Sequence, residues 1–167
     1  PEVASVRLTS HVRDIPVLRG NRLYVPAEGE QFNVFTVSDE PDKEPLSTVA
    51  KPPAQSKYEG AVHLRAGADD LFWSASDFLR QFQLTQDALL EDQKKRIYLG
   101  ASAQPIQSIG RNLFVGRRQL ESDAVSLAQV DGEAMASEWR TVLGGGILAI
   151  SNSRPDTAVC LTRSGDL

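Results

Sequence analysis

The sequence is poor in residues that form disulfides and bind metals. Its single cysteine, Cys160, excludes an intramolecular disulfide and lies in the strand-like segment 157–162, where we expect it to pack as a small hydrophobe. The two histidines, His11 and His63, have no cysteine, histidine or acid at metal-ligand spacing. We therefore expect no metal and no cofactor, and we expect His63 to be an ordinary sheet residue.

Long apolar runs are also missing. No stretch approaches the roughly eighteen apolar residues of a membrane helix, and the N-terminal segment carries charges at Glu2, Arg7 and Arg13. The sequence thus predicts neither a membrane contact nor a secretory signal. It starts at Pro1, which predicts removal of an initiator methionine and synthesis in the cytoplasm.

Few side chains are arranged for catalysis. Acid–base catalysis needs a positioned histidine or carboxylates in different environments. The adjacent pair Asp69 and Asp70 precedes a predicted helix and is expected to complement its dipole. The glycines at 144–146 follow a predicted helix and precede a strand, the reverse of a phosphate loop, so they predict a helix C-cap. We expect no catalytic residue and a protein that is not an enzyme.

The sequence does contain enough apolar residues for one core, and its charge is unevenly distributed. Hydrophobic residues make up 41% of 167, which predicts a single domain over 1–167. The net charge is −4, with acids concentrated at 28–44 and 69–92, while 93–118 has no acid. This basic segment is either a solvated face or a contact surface for nucleic acid or an acidic partner. Its candidate contact residues are Lys94, Lys95, Arg96, Arg111, Arg117 and Arg118.

The N-terminal third has the pattern of β-strands. Apolar runs on both sides of Gly20 and Asn21 predict a hairpin over 17–25, and 32–37 predicts a further strand. Residues 38–60 are rich in proline and acids and predict an extended loop. Such a loop either contacts a partner or lies along its own domain.

The remaining sequence predicts about three helices among further strands. Ser74 or Ser76 can cap a helix carrying Phe78, Leu79 and Phe82. Thr85 can cap a second helix over 86–99, and apolar spacing predicts a third over 133–143. Strands are expected at 61–65, 109–117, 124–130, 147–151 and 157–162, and no internal repeat is visible. The predicted fold is α+β with mostly antiparallel strands.

Residues 74–122 have the order helix, turn, helix, connector, hairpin-like strand. With the sequence Ile-Gly-Arg-Asn-Leu-Phe-Val at 109–115, this segment resembles the winged helix-turn-helix of excisionase-like DNA-binding proteins. The resemblance implies that Gln86 and Gln93 face bases and that the six candidate basic residues neutralise the DNA backbone.

Two functions follow from these observations. The leading hypothesis is a non-enzymatic structural or interaction subunit of a larger assembly, such as a capsid-associated, connector or tail protein of a phage or virus particle. Its partners would be other protein subunits in a homo- or hetero-oligomer, and its final location would be the virion. The alternative is a winged-helix DNA-binding regulator that uses residues 74–122.

Overall fold

The regular secondary structure of the described part of the chain consists of strands alone. The computed structural model describes residues 4–29, 31–50, 60–66, 70–84, 90–119, 122–154 and 157–165, without the side chains of 50, 84, 90–95, 98 and 152–154. Across these ranges there are fourteen strands and no helix. Accordingly, no helix in the described ranges could cross a membrane.

The strands form four antiparallel sheets, which follow one another along the chain. Sheet A contains β1 (Val17–Arg19), β2 (Arg22–Ala27), β3 (Gln31–Val37) and β4 (Leu46–Ala50). Sheet B contains β5 (His63–Ala66), β6 (Asp70–Ala75), β7 (Phe78–Leu84) and β8 (Leu90–Tyr98). Sheet C contains β9 (Gln107–Ile109), β10 (Asn112–Arg118), β11 (Val125–Asp131) and β12 (Ala136–Leu143). Sheet D contains β13 (Ile147–Arg154) and β14 (Thr157–Thr162).

Each strand pairs with the strand next to it in sequence, so every sheet is a simple meander. Short turns make this possible, and Gly20 and Gly110 open two of them at φ +53 and +61, where a side chain would be strained. A series of four-stranded antiparallel meanders is the arrangement of blades in a β-propeller.

The core lies between the sheets. Between sheets A and B, the ring of Phe32 packs against Trp73 at 4.8 Å and Phe82 at 5.2 Å between centroids. Between sheets B and C, Phe72 and Leu79 join a second cluster with residues of β10 and β11. All residues of β6 after Asp70 are buried, since sheet B is covered on both faces. Such a strand shows a continuous apolar run instead of alternation.

The prediction of an α+β fold with three helices is wrong. The segment expected to form the first helix is instead the end of β6, a turn at Ser76 and the strand β7. The described part of the second, 90–98, is β8, and residues 85–89 lie outside the described ranges. Phe78, Leu79 and Phe82 fit a helical spacing, but pairing of β7 with β6 and β8 decides their conformation.

The third predicted helix, at 133–143, is a turn followed by β12. The turn contains the signals of a helix start, because the side chain of Asp131 accepts hydrogen bonds from the backbone N–H groups of Glu133 and Ala134, both at 2.9 Å. Met135 then adopts φ +51 and ends the turn. The glycines at 144–146 consequently follow a strand and not a helix.

Several strand predictions are confirmed. The hairpin around Gly20 and Asn21 pairs β1 with β2, and 32–37, 124–130 and 157–162 lie in or largely in β3, β11 and β14. His63 is in β5, as expected. Part of the segment expected to be an extended loop, 38–60, forms β4, which pairs with β3. Residues 51–59 of that segment lie outside the described ranges.

The backbone contains a repeat that the sequence analysis did not find. The bridge between Val12 and Ala27 recurs between Ser102 and Arg117, each residue 90 positions later in the chain. The β1–β2 and β9–β10 registers match at the same offset. The sequences Gly-Asn-Arg-Leu-Tyr-Val at 20–25 and Gly-Arg-Asn-Leu-Phe-Val at 110–115 carry it. Sheets A and C are therefore equivalent in this region.

Candidate functional site

The candidate basic residues of 93–118 do not form one surface. Lys94 and Lys95 lie in β8, and their side chains are outside the described part of the chain. Arg96 is exposed on the same strand, with its guanidinium carbon 5.2 Å from the ring centroid of Phe78.

The three later arginines lie in three different environments of sheet C. Arg111 is in the β9–β10 turn, where its Nε is 3.3 Å from Oδ2 of Asp131. Arg117 is only 1% exposed, and its Nη1 donates to the backbone oxygen of Ser76 in sheet B at 3.5 Å. Arg118 is exposed at the end of β10 opposite Arg111. The basic segment is thus divided among an edge strand, a turn, a buried junction and a strand end.

Sheets A and B are linked by a partly buried pair of titratable side chains. Nδ1 of His63 is 3.1 Å from Oδ2 of Asp14, and Nε2 of His63 is buried with no hydrogen-bond partner among the described residues. Burial tends to raise the pKa of Asp14, but the hydrogen bond with His63, the backbone N–H of Ile15 and the charge of His63 together lower this pKa below its usual value. The pair therefore favours the ionised carboxylate at this junction.

A second set of charges lies beside this pair at the same edge of sheet A. Glu28 accepts hydrogen bonds from Arg13 and from Nδ1 of His11, the latter at 2.9 Å. The hydrogen bond with His11 and the nearby charge of Arg13 hold the pKa of Glu28 below its usual value. At this edge of sheet A, the side chains of Glu28, Arg13 and His11 thus pair with one another.

At the equivalent place in sheet C the charges are inverted. The 90-residue offset places Ala101, Ala103 and Arg118 where sheet A has His11, Arg13 and Glu28. The matching backbone hydrogen bonds are Ala103 N to Gly116 O at 3.0 Å and Arg118 N to Ala101 O at 2.9 Å. By the same offset, Gln104 stands where sheet A has Asp14. The base Arg118 thus takes the place of the acid Glu28, and alanines take the places of Arg13 and His11, the two partners of Glu28.

An open cavity of about 490 Å³ lies at this edge, between sheets C and D. Its polar lining includes Gln104, Arg118, Asp123 and Arg163, together with Gly145 and Gly146. Both arginines and Asp123 are exposed to solvent, and no ion pair joins them to other side chains in the described ranges. Nε2 of Gln104 is buried without a hydrogen-bond partner within those ranges. The cavity thus presents two guanidinium groups that have no ion-pair partner in the described ranges.

A separate apolar groove of about 420 Å³ also lies between sheets C and D. Leu127 and Trp139 of sheet C line it from one side, and Val159 and Cys160 of β14 from the other. Val142 and Val159 remain 56% and 45% exposed, although both are apolar. Burial raises the pKa of the Cys160 thiol, which keeps it protonated and agrees with the expectation of a small hydrophobe. The groove is an incompletely covered junction face.

Sequence reasoning identified Arg118 from its charge but missed Gln104, Asp123 and Arg163 as its neighbours. Asp123 lies five residues after Arg118, in the connection from β10 to β11, but Gln104 and Arg163 are distant in sequence and reach this cavity only through the fold. The available signal was the Gly-x-x-Leu-aromatic-Val repeat, which aligns Gln104 and Arg118 with the charged residues of sheet A.

One comparison with a known structure supports the fold. No family model matches the sequence, and no curated protein matches it. A solved europium-containing methanol dehydrogenase is similar in structure, with 12% identity and a TM-score of 0.59 over 84% of this chain and 27% of that chain. Two Kluyveromyces lactis Hsv2 structures, one with its complete loop 6CD, have 14% identity and TM-scores of 0.46 over 78% of this chain and 36% of theirs. The chain thus spans about a quarter of the methanol dehydrogenase chain.

Proposed function

We propose that this chain is a non-enzymatic interaction module of a larger assembly, which joins a partner polypeptide by strand addition to sheet D. The observation that carries the proposal is the apolar groove between sheets C and D, where Val142 and Val159 remain 56% and 45% exposed.

The position of β14 supports this mode of binding. One edge of β14 pairs with β13, and its other edge pairs with no strand among the described residues. An open strand edge offers a row of backbone donors and acceptors to another strand. The expected partner is therefore an extended polypeptide that pairs with β14 as an antiparallel strand.

The apolar groove supports the same partner. At the A–B and B–C junctions, apolar side chains from both sheets are buried in continuous clusters. At the C–D junction Val142 and Val159 stay about half exposed. Added strands with apolar residues on their inner face would cover these side chains, and burial of apolar surface contributes about 25 cal/mol per Å².

This proposal refines the predicted role as a subunit that holds other proteins. The setting in a phage or virus particle stays a prediction from the sequence. The DNA-binding alternative also stays a prediction, although the helices on which the winged-helix resemblance rests are absent from the described residues of 74–122.

The test uses the purified full chain, because an uncovered apolar strand edge self-associates when its partner is absent. We expect light scattering to show association that rises with protein concentration. Hydrogen exchange should be fast for β14 amides in dilute samples and slower in concentrated ones. Val159→Lys should leave the chain monomeric, because the added charge would be buried by any strand laid over the groove.

Ile15→Lys is the matched control, since Ile15 is an apolar residue 80% exposed and is not part of the groove. It should associate as the unsubstituted chain does. The proposal fails if the chain stays monomeric at every concentration with β14 amides protected, since the edge would then be covered by its own chain. It also fails if both variants behave alike.

A further inference from the structure

We propose that the cavity between sheets C and D binds a small molecule through a phosphate group. This site is distinct from the apolar groove. It rests on the charge inversion between the equivalent edges of sheets A and C and does not depend on strand addition.

The first argument is charge balance. At the edge of sheet A, the carboxylate of Glu28 neutralises Arg13 and pairs with His11. At the same place in sheet C, Arg118 replaces the carboxylate, and Arg163 enters the cavity from the end of β14. An anion bound in this cavity would supply the negative charge that sheet A supplies from its own side chains.

The second argument concerns the type of anion. Two guanidinium groups suit a ligand with close to two negative charges and several acceptor oxygens, which describes a phosphate monoester at neutral pH. The Asp123 carboxylate can accept a hydrogen bond from the O–H of a monoprotonated phosphate, but it repels the fully ionised form.

The third argument is space. The cavity, at about 490 Å³, falls in the range of small-molecule sites and exceeds what a bare phosphate would fill. Glycine at position 116 leaves room for one side chain of the wall, because a Cβ there would lie 2.6 Å from Cδ of Gln104. A Cβ on Gly146 would only reach van der Waals contact with Cδ of Arg163, at 3.4 Å.

The experiment is an NMR titration of the isotope-labelled full chain with phenyl phosphate, inorganic phosphate, benzoate and phenol. We expect saturable shifts at the amides of Ser122, Gly145 and Gly146, with a dissociation constant for phenyl phosphate of about 1 mM or tighter. Inorganic phosphate should bind more weakly because it leaves most of the cavity empty. Tighter binding of inorganic phosphate would assign the site to the free ion. Benzoate should bind more weakly still, and phenol should not bind.

Variants of exposed residues test what each side chain contributes to phosphate binding without disturbing the core. Arg118→Gln and Arg163→Gln should each weaken phenyl phosphate binding about tenfold or more, because each removes a charge-assisted hydrogen bond. Asp123→Asn should strengthen it at high pH by removing a repelling carboxylate. Arg111→Gln is the matched control, since Arg111 is exposed at the other end of β10, and its binding should be unchanged.

The proposal is overturned if phenyl phosphate gives no saturable shift at millimolar concentration. It is also overturned if Arg118→Gln and Arg163→Gln bind as the unsubstituted chain does, or if benzoate binds as tightly as phenyl phosphate. Shifts spread over all exposed basic residues would indicate non-specific anion binding and would likewise contradict a specific phosphate site in this cavity.

Discussion

At the scale of the residue, the lowered pKa of Asp14 predicts that the free energy of unfolding depends on pH. Its pKa is lower in the folded chain than its ordinary value of 3.8, so the folded state binds fewer protons than the unfolded state near that pH. The stabilisation is complete above pH 3.8 and is lost as the pH falls through the lower folded-state pKa. We expect Asp14→Asn to flatten this part of the pH profile, measured by urea unfolding. An unchanged profile would contradict the role of the His63 hydrogen bond.

Arg117 gives a second prediction at this scale. Because it is 1% exposed and donates to the backbone of Ser76 across the B–C junction, Arg117→Ala should lower the free energy of unfolding by about 2 to 3 kcal/mol. Arg111→Ala removes an exposed ion pair and should cost at most about 0.5 kcal/mol. Chemical denaturation of both variants gives the comparison. Equal costs would mean that Arg117 is a surface charge, as the sequence first indicated.

At the scale of the element, the hairpin turns decide the strand registers. Gly20 has φ +53 and open space around its Cα, so Gly20→Ala is strained only by its backbone conformation and should cost about 1 kcal/mol. Gly144→Ala is the control, because Gly144 also has open space but no positive φ, and it should be neutral or slightly stabilising. Thermal unfolding distinguishes them, and equal shifts in Tm would contradict the assigned turn.

The elements also show how far local sequence rules reach. They predict hairpins at glycine turns, such as the one at Gly20, because short-range pairing decides both turn and strand. They fail at 133–143, where Asp131 accepts the hydrogen bonds of a helix start but Met135 ends the turn. They also fail in β7, whose neighbours in sheet B determine its conformation. Burial on both faces removes the alternation that identifies a strand.

At the scale of the whole molecule, contacts between sheets provide the core. Trp73 is 2% exposed and packs with Phe32 across the A–B junction, so Trp73→Ala should destabilise the chain by about 3 to 5 kcal/mol. Trp139 is 37% exposed at the C–D junction, and Trp139→Ala should cost clearly less. Urea unfolding would reveal the difference. A larger loss of unfolding free energy for Trp139→Ala than for Trp73→Ala would mean that the chain itself already covers the C–D junction.

The candidate site could be predicted only in part at this scale. The charge of Arg118 was visible in the sequence, but the other residues of its cavity come from both sheet C and sheet D, and the fold was needed to bring them together. Arg117, adjacent to it, has the same charge and the opposite environment, because successive residues of a strand point to opposite faces. Local composition therefore could not separate the buried arginine from the exposed one.

The meander topology has a consequence for how the chain folds. Every sheet pairs strands that are adjacent in sequence, so its contacts close short loops and cost little chain entropy. Each sheet can therefore form early as a local unit, while the junctions between sheets, which hold most of the buried apolar surface, close later. Substitutions within a hairpin turn should slow refolding, whereas substitutions at a junction should mainly speed unfolding.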